Sequence, residues 1–195
     1  MTAKNPMIFA TDKPAVLLAS SRSDGNTASL AKMAFPDVST PLIDLALYDI
    51  GVFSYESSNK NDDYLSLIES LVSSPVWVLA TPLYWYTMSA QMKTFVDRFC
   101  DFYVPQKKAI RHQLKGKSLA VLCSGTDPEL PLGFDEPFRL TSDYIGMRYI
   151  GAFYGRFEAH TDRTPASANL KIEARQFGDR VIRIAVKNAE GGSIE

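Results

Sequence analysis

The sequence has 195 residues, of which 46% are hydrophobic and 22% charged, and its formal net charge is −1 at pH 7. A chain of this length and composition can bury a sizeable core, so we expect one domain over residues 1–195, with 1–13 as a flexible extension. The near-zero charge argues against nucleic acid as the main partner. No apolar run approaches the roughly 20 residues of a membrane helix and no leader segment is visible, so we expect a cytoplasmic protein with no membrane partner.

Five short apolar segments are predicted to be β-strands. Several of them, such as residues 16–18 and 76–79, are apolar without interruption. Continuous apolar runs are typical of strands that are buried on both faces in a parallel sheet. The predicted strands cover residues 15–20, 41–45, 75–80, 117–124 and 148–155.

Segments with helical spacing follow each predicted strand. The first is capped by Asn26 or Thr27, and the second by Asp62 or Asp63. Gly178 is a weak helix former within the last segment. The remaining three helices are predicted over about residues 88–102, 135–146 and 165–187.

This alternation of strands and helices predicts a parallel sheet with helices on both faces, because right-handed crossovers wind the chain that way. In the five-stranded order 2-1-3-4-5, the chain reverses its direction of travel between strands 1 and 3. A ligand is expected in the crevice at that point, where the loops after strands 1, 3 and 4 open.

The loop after strand 1, here called loop A (residues 20–27, SSRSDGNT), combines hydroxyls, one arginine and one glycine before a helix. Backbone N–H groups at the helix end and the forked guanidinium of Arg22 can bind a phosphate without a metal. The loop lacks the glycine–lysine pair of a Walker loop and the spaced glycines of a dinucleotide fingerprint. An ordinary capped surface loop is the alternative. If a phosphate binds, Asp24 must point to solvent to avoid repulsion.

The loops after strands 3 and 4 supply different chemistry. Loop B (residues 81–88, TPLYWYTM) has three consecutive aromatic residues that can form a wall for a flat ring, or else a core or subunit contact. Loop C (residues 124–127, SGTD) offers small residues and backbone donors that suit close approach to a planar polar edge. Together the three loops predict a site for a phosphorylated planar heterocycle.

The cysteines and histidines do not indicate a metal site or a disulfide. Cys100 and Cys123 have no metal-ligand spacing to each other or to His112 and His160. We interpret both cysteines as packing residues and both histidines as surface or structural residues.

Three segments resemble the NADPH-dependent FMN reductases and related multimeric flavodoxin-like NAD(P)H oxidoreductases. They are SSRSDGNTASL from Ser20, TPLYWYTMSAQMKTFVDRF from Thr81 and GMRYIG from Gly146. The similarity extends over about residues 15–155. It implies an α/β flavodoxin-like fold of three layers, with a five-stranded parallel sheet of order 2-1-3-4-5.

The resemblance also implies a function. One FMN per subunit would take a hydride from NAD(P)H and pass the electrons to a small-molecule acceptor such as a flavin or quinone, in a ping-pong cycle. No side chain is expected to act as acid or base. The implied cofactor-binding residues are Ser20, Arg22, Ser23, Gly25, Asn26, Thr27, Pro82, Leu83, Tyr84, Trp85, Ser124, Gly125 and Thr126.

Relatives of this kind are usually dimers or tetramers, so a homodimer or homotetramer is expected. The helix that carries Met92, Phe95 and Phe99 is either a subunit contact or packs only on its own sheet. The cysteine pattern of iron–sulfur relatives is missing, so no second redox centre is expected.

Two other functions remain open at this point. A non-enzymatic electron carrier would also bind FMN but would pass electrons only to protein partners. A flavin-free module would bind some other phosphorylated ligand. Residues 127–134 are interpreted either as a lid that limits acceptor size or as an ordinary long loop.

Overall fold

One parallel sheet organises the computed structural model, which describes residues 12–36, 42–56, 61–103, 107–160 and 163–190. Its strand order is β2-β1-β3-β4-β5, and all neighbouring strands pair in parallel. The predicted order 2-1-3-4-5 is therefore confirmed. The strands are β1 (Ala15–Leu18), β2 (Leu42–Asp44), β3 (Val76–Pro82), β4 (Ser118–Gly125) and β5 (Arg148–Arg156). Most of the extension expected over 1–13 lies outside the described residues.

Six α-helices lie within the described ranges. The predicted cap of the first helix, Asn26 or Thr27, is wrong, because Gly25 occupies the N-cap position and the helix begins at Asn26. The helix bounds follow the prediction with three differences. The predicted third helix ends early and continues as a 3-10 helix over Arg98–Tyr103. The helix Lys108–Leu114 was not predicted, and the last helix begins at Leu170 rather than 165. The helices are α1 (Asn26–Ala34), α2 (Tyr64–Leu71), α3 (Ala90–Asp97), α4 (Lys108–Leu114), α5 (Glu136–Ile145) and α6 (Leu170–Ala189).

The sheet separates two hydrophobic cores, because successive side chains of a strand point to opposite faces. On the central strand β3, Trp77 and Leu79 enter the core beneath α2, α3 and α5. Val76 and Val78 enter the core beneath α1 and α6. The prediction of helices on both faces is confirmed. No helix within the described ranges is both long enough and apolar enough to span a membrane.

A buried arginine ties the end of α3 to the start of α2. The guanidinium of Arg98, only 2% exposed, pairs with Asp62 and Asp101 and lies 4.5 Å from the ring centroid of Tyr64. Asp62 also accepts a hydrogen bond from the backbone N–H of Tyr64 at 3.1 Å. Of the two predicted caps for α2, it is therefore the Asp62 carboxylate that bonds to the first turn.

Gly178 marks a close approach between α6 and α1. A Cβ atom at this position would lie 1.9 Å from the carbonyl oxygen of Ala34, which is far inside van der Waals contact. The weak helix former noted in the sequence is thus required by packing. Its lack of a side chain allows two helix backbones to touch.

We predict that Gly178→Ala destabilises the protein by about 1–3 kcal/mol, because the added methyl group overpacks the contact with Ala34. Helix propensity alone predicts the opposite sign, since alanine is favoured over glycine by about 1 kcal/mol in a helix interior. Urea unfolding measures the difference, with the exposed Lys187→Ala on the same helix as control. A Gly178→Ala protein as stable as the parent would contradict the close packing.

Candidate functional site

The loops that follow β1, β3 and β4 meet at the carboxyl edge of the sheet and are bonded to one another. The backbone N–H of Leu83 in loop B donates to the carbonyl of Ser124 in loop C at 2.8 Å. The hydroxyl of Ser124 lies 2.8 Å from the hydroxyl of Thr27 in loop A, in a buried position. The hydroxyls of Ser21 and Tyr84 join loops A and B at 2.7 Å.

Loop B is also held in place by the hydrogen bonds of Ser89, the N-cap residue of α3. Its hydroxyl donates to the carbonyl of Ala19 at 2.8 Å and accepts the backbone N–H of Met92 at 3.1 Å. Its own N–H donates to the hydroxyl of Thr81 at 3.0 Å. These buried bonds fix the exit of β1 against the exit of β3.

A small pocket of about 90 Å³ lies between the three loops, and most of its lining residues have polar or charged side chains. The N-terminus of α1 is part of it, and a helix N-terminus has N–H groups with no partner inside the helix. Such groups attract anions. The lining residues are Ser20, Arg22, Asn26, Thr27, Pro82, Leu83, Tyr84, Ser124, Gly125 and His160.

Asn26 is the residue of this pocket with an unmet hydrogen-bonding capacity. It is 8% exposed, and its Nδ2 donates to the carbonyl of Ala159 at 2.8 Å. Its Oδ1 has no hydrogen-bond partner among the described residues. A buried acceptor without a donor is costly, so this oxygen is suited to a ligand that brings a hydroxyl or N–H.

A fourth segment, after β5, closes the small pocket. The backbone N–H of Phe157 donates to the carbonyl of Gly125 at 2.9 Å. The Arg22 guanidinium donates to the carbonyl of His160. Together with the bond from Asn26 to Ala159, these contacts hold residues 157–160 against loop A.

A large pocket of about 550 Å³ adjoins the small one. It shares Leu83, Tyr84 and His160 with the small pocket, so the two pockets adjoin at these three residues, a position here called the neck. Its other lining residues are Trp85, Tyr86, Thr126 and Asp127. A small pocket with polar side chains beside a wider pocket with aromatic side chains suits a phosphorylated planar ring on chemical grounds.

The wall of the large pocket is a strained turn, here called the aromatic turn (residues 84–87). Tyr84 and Thr87 exchange two backbone hydrogen bonds, of 2.9 and 3.1 Å, around Trp85 and Tyr86. The φ angles of these two residues are +48° and +65°, and their side chains are 93% and 68% exposed. Bulky side chains rarely adopt positive φ, and such strain concentrates at functional sites.

Loop C is supported by Tyr154 of β5. Its hydroxyl donates to the carbonyl of Asp127 at 3.0 Å. A Cβ atom on Gly125 would lie 2.6 Å from that hydroxyl, so this glycine leaves the space that the tyrosine fills. Burial, with smaller contributions from Cys123 and Asp127, raises the pKa of Tyr154 to about 12. The hydroxyl therefore remains a neutral donor at physiological pH.

Two of the predicted cofactor-binding residues do not line either pocket. Ser23 is exposed, and Gly25 is buried behind the side chain of Arg22, which would lie 3.3 Å from a Cβ there. The prediction that Asp24 points to solvent is confirmed, because its side chain is 75% exposed. Its Oδ2 atom lies 3.7 Å from Nη1 of Arg163. The other predicted residues line at least one of the pockets.

Sequence reasoning left three pocket residues out of the site. Tyr86 and Asp127 belong to loops B and C but were not assigned a role. His160 was interpreted as a surface or structural residue, yet it lines both pockets. No local motif surrounds His160. Its place at the site could have been inferred only from the strand order, because β5 pairs in parallel with β4 and the two strands end at the same edge of the sheet.

The cysteine prediction is wrong for Cys100, which is exposed, whereas Cys123 is buried. Burial raises the pKa of the Cys123 thiol, which makes it unreactive. Met92, Phe95 and Phe99 are all buried in the core under their own sheet. The role of their helix as a subunit contact stays a prediction.

Comparison with known proteins agrees with this geometry. The family model for NADPH-dependent FMN reductase matches residues 13–158. The chain belongs to this family. It is therefore an FMN-dependent oxidoreductase that uses NAD(P)H, and FMN is its cofactor.

Individual relatives extend the comparison. The chain is 30% identical over 152 residues to YwqN of Bacillus subtilis (strain 168), a protein named as an NAD(P)H-dependent FMN-containing oxidoreductase, covering 73% of this chain and 84% of that one. The solved Trp repressor binding protein from Bacillus subtilis superposes with a TM-score of 0.64 at 23% identity, covering 87% and 96% of the two chains. A flavodoxin from the domain Archaea superposes with a TM-score of 0.53 at 13% identity, covering 91% and 99%. The predicted flavodoxin-like fold is thus confirmed.

We predict that converting the aromatic turn to asparagine–glycine, with Trp85→Asn and Tyr86→Gly together, stabilises the flavin-free reductase by about 1–2 kcal/mol. Asparagine and glycine adopt positive φ readily and favour this two-residue turn. Urea unfolding gives the free energy. The single variant Trp85→Ala removes the ring but keeps the strain, so it should show no gain. Equal stability of the two variants would mean that the turn stores no strain.

Proposed function

We propose that this reductase passes electrons from NAD(P)H, through FMN held in the two joined pockets, to a small-molecule acceptor such as a free flavin or a quinone. One observation carries the proposal, namely the polar pocket and the aromatic pocket meeting at a common neck. This juxtaposition lies where the chain reverses between β1 and β3, the usual ligand position in such sheets.

The residues of the site fit FMN on chemical grounds. The N-terminus of α1, the hydroxyls of Ser20 and Thr27, and Arg22 form a donor set suited to a phosphate. The buried acceptor Oδ1 of Asn26 suits a ligand hydroxyl, and the ribityl chain of FMN carries several. We propose that Ser20, Arg22, Asn26 and Thr27 hold the phosphate end.

The ring end is proposed to lie along loops B and C. Leu83, Tyr84 and Trp85 would contact the face of the ring, while the backbone of Ser124, Gly125 and Thr126 would meet its polar edge. FMN, when bound, supplies the transfer of electrons between donor and acceptor. The protein's contribution is to bind and orient the ring and to keep one face open to both substrates. Ser23 and Gly25 line neither pocket, so we propose no direct contact of these two residues with FMN.

The structure favours an enzyme over a protein-partnered electron carrier. The large pocket, of about 550 Å³, has solvent-exposed aromatic side chains and can admit a second planar ring beside the first. A flavin-free module is not compatible with membership of the family. The role of residues 127–134 as a lid stays a prediction.

We also propose that the reductase is a homodimer or homotetramer. Tyr55, Leu140 and Tyr144 are 94%, 53% and 75% exposed, and all three border one groove of about 820 Å³. Exposed apolar side chains clustered in this way are typical of an interface. Size-exclusion chromatography with light scattering tests this, and a monomer would contradict it.

Two further expectations stay predictions. A cytoplasmic location would suit an enzyme that uses NAD(P)H and has free Cys100 and Cys123, and cell fractionation tests it. A single domain over residues 1–195 is tested by limited proteolysis, because a second domain would be released as a stable fragment.

Anaerobic stopped-flow mixing tests the enzymatic function. We expect NADPH or NADH to bleach the visible flavin absorbance on the timescale of turnover, and a panel of flavins, quinones, azo compounds and nitro compounds to identify the acceptor. A protein that binds FMN but stays oxidised after mixing would be a carrier, and the proposal would fail.

We predict that Arg22→Ala weakens FMN binding by about tenfold or more, because a charge-assisted hydrogen bond to the phosphate is lost. Flavin titration measures the affinity, and circular dichroism checks that the fold is retained. Arg175→Ala, which removes an exposed arginine paired with Asp179 on α6, is the control. Unchanged affinity in Arg22→Ala would remove this residue from the site.

A further inference from the structure

His160 occupies the neck between the two pockets. It lines the small polar pocket together with Arg22 and Asn26, and the large pocket together with Trp85. Nothing in its sequence context marks it as a ligand-binding residue. If the phosphate of a bound flavin occupies the small pocket, His160 lies beside the point where that phosphate continues into the ribityl chain.

The backbone of His160 is held in place independently of its side chain. Its carbonyl accepts a hydrogen bond from Arg22, and the preceding carbonyl of Ala159 accepts one from Asn26. The backbone N–H of Glu158 donates to the carbonyl of Thr164 at 2.9 Å. His160 is therefore held at the neck through its backbone, and a substitution of its side chain leaves these backbone bonds available.

The charge of the small pocket indicates what the imidazole does. A phosphate monoester carries a charge of about −1.5 to −2 at neutral pH. Within the described ranges, Arg22 and His160 are the basic residues that line the small pocket. Arg163 lies nearby but faces the carboxylate of Asp24 at 3.7 Å. One guanidinium leaves part of the phosphate charge unmatched, and His160 is the other basic residue at this pocket that could donate a hydrogen bond to it.

Two other charged side chains in this region, Asp127 and Arg156, are not placed to bind a phosphate in the small pocket. Asp127 lines the large pocket, and its negative charge would repel a phosphate. The Nε of Arg156 lies 3.4 Å from the carbonyl of Thr126. Neither side chain lines the small pocket.

We propose that His160 is a further FMN-binding residue whose imidazole donates a hydrogen bond to the 5′-phosphate and makes the site selective for FMN over riboflavin. This inference rests on the proposed function, because it assumes that the phosphate occupies the small pocket. Riboflavin has the same ring and ribityl chain but no phosphate, so the two flavins separate a phosphate contact from a ring contact.

Competition between the two flavins tests the proposal. Purified protein is dialysed against equal concentrations of FMN and riboflavin, and the bound flavins are released and quantified by chromatography. For His160→Ala we expect the bound ratio of FMN to riboflavin to fall about ten- to a hundredfold, as loss of a charge-assisted hydrogen bond requires. For His160→Gln, which keeps a neutral N–H donor, we expect an intermediate ratio.

His112→Gln is the matched control, because this second histidine lies on α4 and lines neither pocket. Its ratio should equal that of the parent. The bound ratio does not depend on the fraction of folded protein, so a partly unfolded variant still gives an answer. An unchanged ratio in His160→Ala would overturn the role of His160 alone. A parent protein that binds both flavins equally, or neither, would instead overturn the proposed phosphate site.

Discussion

Buried hydrogen bonds between strand exits are the constraint on which the site depends. Ser124 meets both Thr27 and Leu83, and Ser89 meets Ala19, so the ends of β1, β3 and β4 are bonded directly to each other. Because these polar groups lie away from water, breaking one contact leaves a costly unpaired partner. The two pockets are therefore shaped by the same bonds that terminate the strands.

These hydrogen bonds between strand ends support a segment of irregular backbone at the site. The aromatic turn holds Trp85 and Tyr86 at positive φ, in a short segment closed by its own hydrogen bonds between Tyr84 and Thr87. The strain is confined to the turn, because Leu83, just before it, is fixed by the carbonyl of Ser124. Regular sheet structure thus supports an unfavourable conformation where exposed aromatic rings are needed.

The sequence predicts the sheet and much of the site because the relevant signals are local. Continuous apolar runs identify β3 and β4, and Gly146 ends α5 with a φ of +82° as its position suggested. Helix α4 was missed because its seven residues bury only Ile110 and Leu114, too few to show a period. The position of His160 at the pockets was missed because it depends on β5 ending beside β4, a relationship between distant segments.

The contact at Gly178 links two distant parts of the molecule. Helix α1 presents its first residue, Asn26, to the small pocket, and its last, Ala34, to the backbone of α6. Nine residues of helix span only about 13 Å, and a short helix moves as a rigid rod. Any change that pushes α6 outward would tilt this rod and displace the donors at its opposite end. The proposed phosphate site is thereby coupled to the packing of a surface helix that lines neither pocket.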